Sequence, residues 1–134
     1  MISNRWKLYL VLLALGCSSF GKVGALEPPP GRVELKRADL SGAPGMEVIS
    51  SITEFKPGEE VALHLHHGIE TGYVVQGTMI QMPGKDPVMM ETGASFINLR
   101  DVRHGGYKVV GDRPLKIFAV HVVDKGKPLY DTQP

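Results

Sequence analysis

Glycine and proline cut this chain into pieces too short for long helices. Sixteen glycines and ten prolines are spread over 134 residues. The turn signals are Ser41-Gly42-Ala43-Pro44-Gly45, Lys56-Pro57-Gly58, Gly77, Pro83-Gly84-Lys85-Asp86, Thr92-Gly93 and Gly111-Asp112-Arg113-Pro114. Between them lie runs rich in β-branched and aromatic residues: 47–55, 61–67, 71–76, 78–82, 88–91, 94–99, 106–110 and 115–123. In 47–55, Val48, Ser50, Ile52 and Glu54 share one face, and Ile49, Ser51, Thr53 and Phe55 the other. No window sustains a helical period, and eight or so short strands at this spacing predict an all-β sandwich or barrel.

The chemistry is concentrated between Gly58 and Gly77. On a strand, residues two apart share a face, so Ala62, His64 and His66 look one way and Val61, Leu63 and Leu65 the other. Glu70 returns after a turn at Gly68. Two adjacent imidazoles with a carboxylate brought over them form three parts of a metal site.

Gly58, His64, His66, Glu70 and Gly77 fill every fixed position of G-x5-H-x-H-x3-E-x6-G, the first motif of the cupin superfamily. In this the chain resembles that family from about Met46 to Val123. The second motif, G-x5-P-x-G-x2-H-x3-N, is matched in part. Gly93 and His104 are in place, whereas Leu99, Asp101 and Lys108 stand where the family has proline, glycine and asparagine. The resemblance implies a jelly-roll barrel over 46–123 and one divalent transition metal (Fe, Mn, Ni, Cu or Zn) held by His64, His66, Glu70 and His104. Imidazole suits Zn, Cu, Fe and Ni, and the carboxylate adds tolerance for Mn. The family also implies a homodimer.

Ahead of the barrel, Arg5 and Lys7 precede an apolar run from Leu8 to Leu15, followed by small residues to Ala25. Residues 1–25 read as a signal peptide, cleaved before Leu26, with export to the periplasm or medium. The segment Leu-Ala-Leu-Gly-Cys-Ser-Ser around Cys17 also resembles a lipoprotein processing site, which would give a lipid anchor. Residues 26–45, with Pro28-Pro29-Pro30, read as an extended arm or linker, and the tail 124–134 as a polar surface segment. A formal net charge of +1 gives no field suited to nucleic acid, and a single cysteine excludes a disulfide framework within the chain.

Other side chains are candidates for the pocket. His121 is a polar lining residue or a strand-end residue, and in the first case a general base or a support for the metal ligands. Tyr73, three after Glu70, is a candidate for the mouth. His67 faces away from His66. Met79, Met82, Met89 and Met90 read as adaptable core filling. Arg100 and Arg103 flank His104 and could clamp a carboxylate. The expected function is that of a metal-dependent enzyme acting on a small organic molecule, a dioxygenase-type oxidoreductase first, an isomerase or decarboxylase otherwise. The alternatives are a non-catalytic ligand- or metal-binding module and a structural, oligomer-forming protein.

Overall fold

The structure is a computed structural model that describes residues 24–133. Residues 1–23, with most of the expected signal sequence and Cys17, and Pro134 lie outside the described residues.

Nine strands follow one another: β1 Arg32–Asp39, β2 Met46–Phe55, β3 Glu60–Val61, β4 Gly68–Gln76, β5 Thr78–Gln81, β6 Val88–Met90, β7 Ser95–Asn98, β8 Tyr107–Val109 and β9 Leu115–Asp124. They form two antiparallel sheets, one ordered β1-β2-β9-β4-β7 and the other β3-β8-β5-β6. Among the described residues no helix is long and apolar enough to cross a membrane.

Most strands fall within a residue or two of the positions expected from the turn signals, because period-2 burial and turn chemistry agree there. β2 alternates strictly, with Ile49, Ser51, Thr53 and Phe55 inward. β9 does the same, burying Leu115, Ile117, Ala119, His121 and Val123. Phe55, Val61, Val74, Ile80, Val109, Leu115, Ile117 and Ala119 form the apolar core between the sheets. Each of these side chains larger than Ala119 contributes about 1.5–3 kcal/mol by leaving water.

Two segments differ from expectation. The arm is not free along its length, since Arg32–Asp39 pairs with β2 as an edge strand over seven residue pairs. The tail does not simply lie on the surface. Tyr130 is buried, and Asp131 makes isolated bridges to Ala25 and Leu65. Leu26 N donates to Tyr130 O (3.0 Å) and Thr132 N to Gly24 O (2.8 Å). Tail and arm are thus hydrogen-bonded to each other at one end of the barrel. Polar composition was a poor guide here, because the bonds are made by backbone groups.

Candidate metal centre

The segment from Ala62 to His67 is not the regular strand expected. β3 ends at Val61, and the chain then crosses the barrel end, held on two sides. His64 exchanges backbone hydrogen bonds with His104 (3.0 and 2.8 Å), and Leu65 exchanges them with Asp131 (2.8 and 3.1 Å). Strict alternation fails at Val61, which packs into the core. It holds for the part that matters, since Ala62 and His64 line the cavity and His66 is buried beside them.

The turn that carries His104 survives the replacement of its motif residues. Asp101 has φ 58°, the left-handed conformation that a glycine would take and that Asp tolerates best among charged residues. Its N–H donates to His66 O (2.9 Å), and its carboxylate lies 2.9 Å from His67 Nδ1. Leu99 and Lys108 are exposed. Gly77 closes the first motif for a steric reason. A Cβ there would come 2.0 Å from Met90 O.

The geometry of the imidazoles decides what this place can hold. His64 Nδ1 donates to Ala62 O (2.7 Å), His104 Nδ1 to Val102 O (3.0 Å) and His66 Nδ1 to Leu129 O in the tail. With Nδ1–H committed, each neutral ring carries its lone pair on Nε2. His66 Nε2 and His104 Nε2 are buried without hydrogen-bond partners among the described residues, and each stands 3.3 Å from Glu70 Oε2. His121 Nε2, also unpartnered, is 3.4 Å from Glu70 Oε1. The lone pairs of His66 and His104 therefore face a carboxylate oxygen, an arrangement that a cation relieves. Ligands bound cis to one ion at about 2.1 Å lie about 3 Å apart, close to these separations. Two overlapping groups have ligand atoms mutually within 4.8 Å: His64, His66 and His104, and His66, Glu70 and His121. The donor set fits a divalent transition metal, whose identity it leaves open.

The electrostatics agree with that donor set. Burial pushes His64 down to about 4, with the neighbouring His66 and His104 acting in the same direction, and burial also lowers His121. Both are neutral imidazoles at neutral pH. Asn98 Nδ2 donates to Glu70 Oε2 (2.7 Å) and orients it.

Each remaining candidate now has a place. His121 is in the cavity, 1% exposed, with its ring 4.6 Å from that of His66. Tyr73 is not. Three residues after Glu70 on β4 it has the opposite parity, and it is 50% exposed on the outer face of the sheet. The tyrosines that do line the cavity are Tyr107 and Tyr130. Tyr130 packs edge-on against His64 and His66, with ring centroids 4.9 and 5.3 Å apart. A lone aromatic in a polar tail carried no signal that would have found it. Met90 lines the cavity, whereas Met82 and Met89 are exposed. Arg100 pairs with Asp124 and Arg103 donates to Thr132 O, so neither clamps a ligand in the cavity. His67 contacts Asp101 and Asp131.

The cavity measures about 270 Å³ and takes Phe55, Phe96 and Ile117 as apolar wall beside the histidines. That is the size of a small-molecule site at the lower end of the usual range. Fold and site together define a double-stranded β-barrel with a histidine–glutamate centre at one end. The Cupin domain family matches residues 51–121, more than half of the chain, and the protein belongs to that family.

Several solved structures are similar to the chain. A Klebsiella pneumoniae protein with a double-stranded β-helix domain is 18% identical, with a TM-score of 0.57 over 81% of this chain and 92% of that one. A Bordetella pertussis cupin domain is 16% identical, with a TM-score of 0.47 over 72% and 97% of the two chains. The DMSP lyase DddQ of Ruegeria pomeroyi is 16% identical, with a TM-score of 0.47 over 60% of this chain, which spans 40% of that lyase. No curated protein matches the chain in sequence.

Proposed function

We propose that this protein binds one divalent transition metal through His64, His66, Glu70 and His104, with His121 beside them, and uses it on a small organic molecule. The observation that carries this reading is the pair His66 and His104, each with Nε2 3.3 Å from Glu70 Oε2 while its Nδ1 donates to a backbone carbonyl. A bound ion would supply Lewis acidity and open coordination positions. The chain itself supplies the rest. Asn98 holds the Glu70 carboxylate in orientation, Phe55, Phe96 and Ile117 exclude water, and neutral His121, with both ring nitrogens unpartnered among the described residues, offers one of them as a proton acceptor.

A dioxygenase-type oxidoreductase is the leading reaction class, with isomerase or decarboxylase chemistry next. A second reading is a ligand-holding module without turnover, favoured by the apolar walls of Phe55, Phe96 and Ile117. Reconstitution with Fe, Mn, Ni, Cu or Zn followed by oxygen-uptake screening over small phenols, diketones and thiols separates the two. Turnover that disappears in a folded His104→Ala variant supports the enzyme. No metal bound and no uptake would sink it.

The localisation we propose is the periplasm or the medium, by cleavage before Leu26. N-terminal sequencing of exported protein tests it.

We also propose a homodimer formed through the outer face of the five-stranded sheet. Register pairs carry apolar rows across it: Val33, Ile52, Phe118 and Tyr73, and then Val48, Val122 and Ile69. Ile97 and Leu99 are 66% and 59% exposed. Ion pairs Lys116–Glu54 and Arg100–Asp124 bound the rows at either end, an apolar centre with a charged rim. Five strands by three side-chain levels give a footprint of about 24 by 20 Å. With side-chain relief the accessible area rises toward the roughly 800 Å² per partner of a standard interface. A second copy presents the same rows, so a two-fold contact is self-complementary.

A further inference from the structure

Neighbouring side chains on an extended segment point to opposite sides, so His67 leaves the cavity to which His66 turns. It does not go to solvent. Its side chain is 18% exposed, and its ring lies between two carboxylates from distant parts of the chain. Nδ1 is 2.9 Å from Asp101 Oδ1, in the turn that carries His104. Nε2 is 3.2 Å from Asp131 Oδ2, in the tail.

Backbone bonds close the same three-way junction. Asp101 N donates to His66 O (2.9 Å), Leu65 and Asp131 exchange bonds (2.8 and 3.1 Å), and Asp124 N donates to His67 O (2.9 Å). Asp131 spends its other oxygen, Oδ1, on Gln133 N (2.9 Å), which leaves Oδ2 to His67. Each of the two carboxylates also stands next to a carbonyl that orients a candidate ligand. Val102 follows Asp101, and Val102 O accepts from His104 Nδ1 (3.0 Å). Leu129 lies two residues before Asp131, and Leu129 O accepts from His66 Nδ1. Those two bonds set which nitrogen of each ring faces Glu70. A ring held at both nitrogens cannot turn without losing a contact, so His67 fixes the two segments relative to each other.

We propose that His67 is a positioning residue for the metal centre: outside the donor set, one imidazole braces the Asp101 turn and the Asp131 tail so that Val102 O and Leu129 O stay in place for His104 and His66. Hydrogen-bonding partners that orient a metal's ligands carry roughly 10- to 100-fold of its affinity. The proposal deepens the metal reading above and rests on it for what the brace serves. The brace itself is a property of the metal-free fold.

The test reads the tautomers of His66 and His104 by nitrogen-15 NMR of metal-free protein at neutral pH, and zinc affinity by chelator competition. Wild type holds both rings in the Nδ1–H form. His67→Phe keeps a ring of similar size and removes both contacts. It turns both histidines into mixtures of the two tautomers and lowers zinc affinity by about 10- to 100-fold. Asp101→Asn disturbs chiefly His104 and Asp131→Asn chiefly His66, a division that a general loss of stability would not produce. Unchanged tautomers in folded His67→Phe, or unchanged zinc affinity, overturn the proposal, as does a wild type already in mixed forms. Should His67→Phe fail to fold, the two aspartate variants decide, and the same change at both histidines, or none at either, overturns it. Failure of wild type to bind zinc would count against the metal centre instead and leave the tautomers to judge the brace.

Discussion

His66 and His104 share one feature: a backbone carbonyl takes Nδ1–H, and Nε2 is left facing a carboxylate oxygen at 3.3 Å. Truncating one of them should remove most of the metal affinity. His121→Gln should reduce it by the roughly 10- to 100-fold typical of a supporting residue, and equilibrium dialysis against a competing chelator measures both. His64 gives a pH dependence. Its folded value of about 4 lies below the unfolded value near 6.5, so the unfolded chain binds more protons between them. Stability of the metal-free protein is full above pH 6.5 and declines as pH falls toward 4, by roughly 3 kcal/mol from this residue. Thermal melts across that range should show a smaller loss in His64→Gln, and an equal loss would contradict the assignment. The spacing of His64, His66, Glu70 and His104 made these residues legible in the sequence. Tyr73 was misplaced because three positions along a strand reverse the face, a parity rule the local spacing already contained. Asp101 looked like a loss of the turn, yet its φ of 58° reproduces what a glycine would do there.

At the level of elements, the tail is what the sequence concealed. Leu129 O accepts from His66 Nδ1, Asp131 pairs with Leu65, and Tyr130 stacks edge-on against two of the histidines. The segment read as polar surface thus orients one of the ligands. Tyr130→Ala should cost about 3 kcal/mol of stability, the usual range for emptying a buried aromatic site. It should also weaken metal binding, which a chelator titration of the folded variant reads. Unchanged affinity would show that the tail only covers the site. Strands β2 and β9 were legible because alternation and burial coincide over ten residues each. β1 was not, since every residue after Arg32 is exposed and no alternation of burial marks the strand.

The whole molecule presents two unlike surfaces of one sheet. The inner face of β1-β2-β9-β4-β7 supplies Thr53, Glu70, Asn98 and His121 to the cavity end, and the outer face carries apolar rows between ion-pair rims. Sedimentation should find a dimer that Ile97→Glu with Leu99→Glu converts to monomer, and metal content should survive that change. A monomeric wild type at micromolar concentration would count against the outer-face interface. The proposed metal centre draws on the crossing segment, β4, the turn before β8 and β9, so only the folded barrel brings its residues together. The direct test is metal stoichiometry by mass spectrometry of the reconstituted, desalted protein, beside His66→Ala with Glu70→Gln. The account predicts about one divalent ion per wild-type chain and almost none in the folded variant. Wild type that retains no ion, or a variant that retains as much, would contradict it.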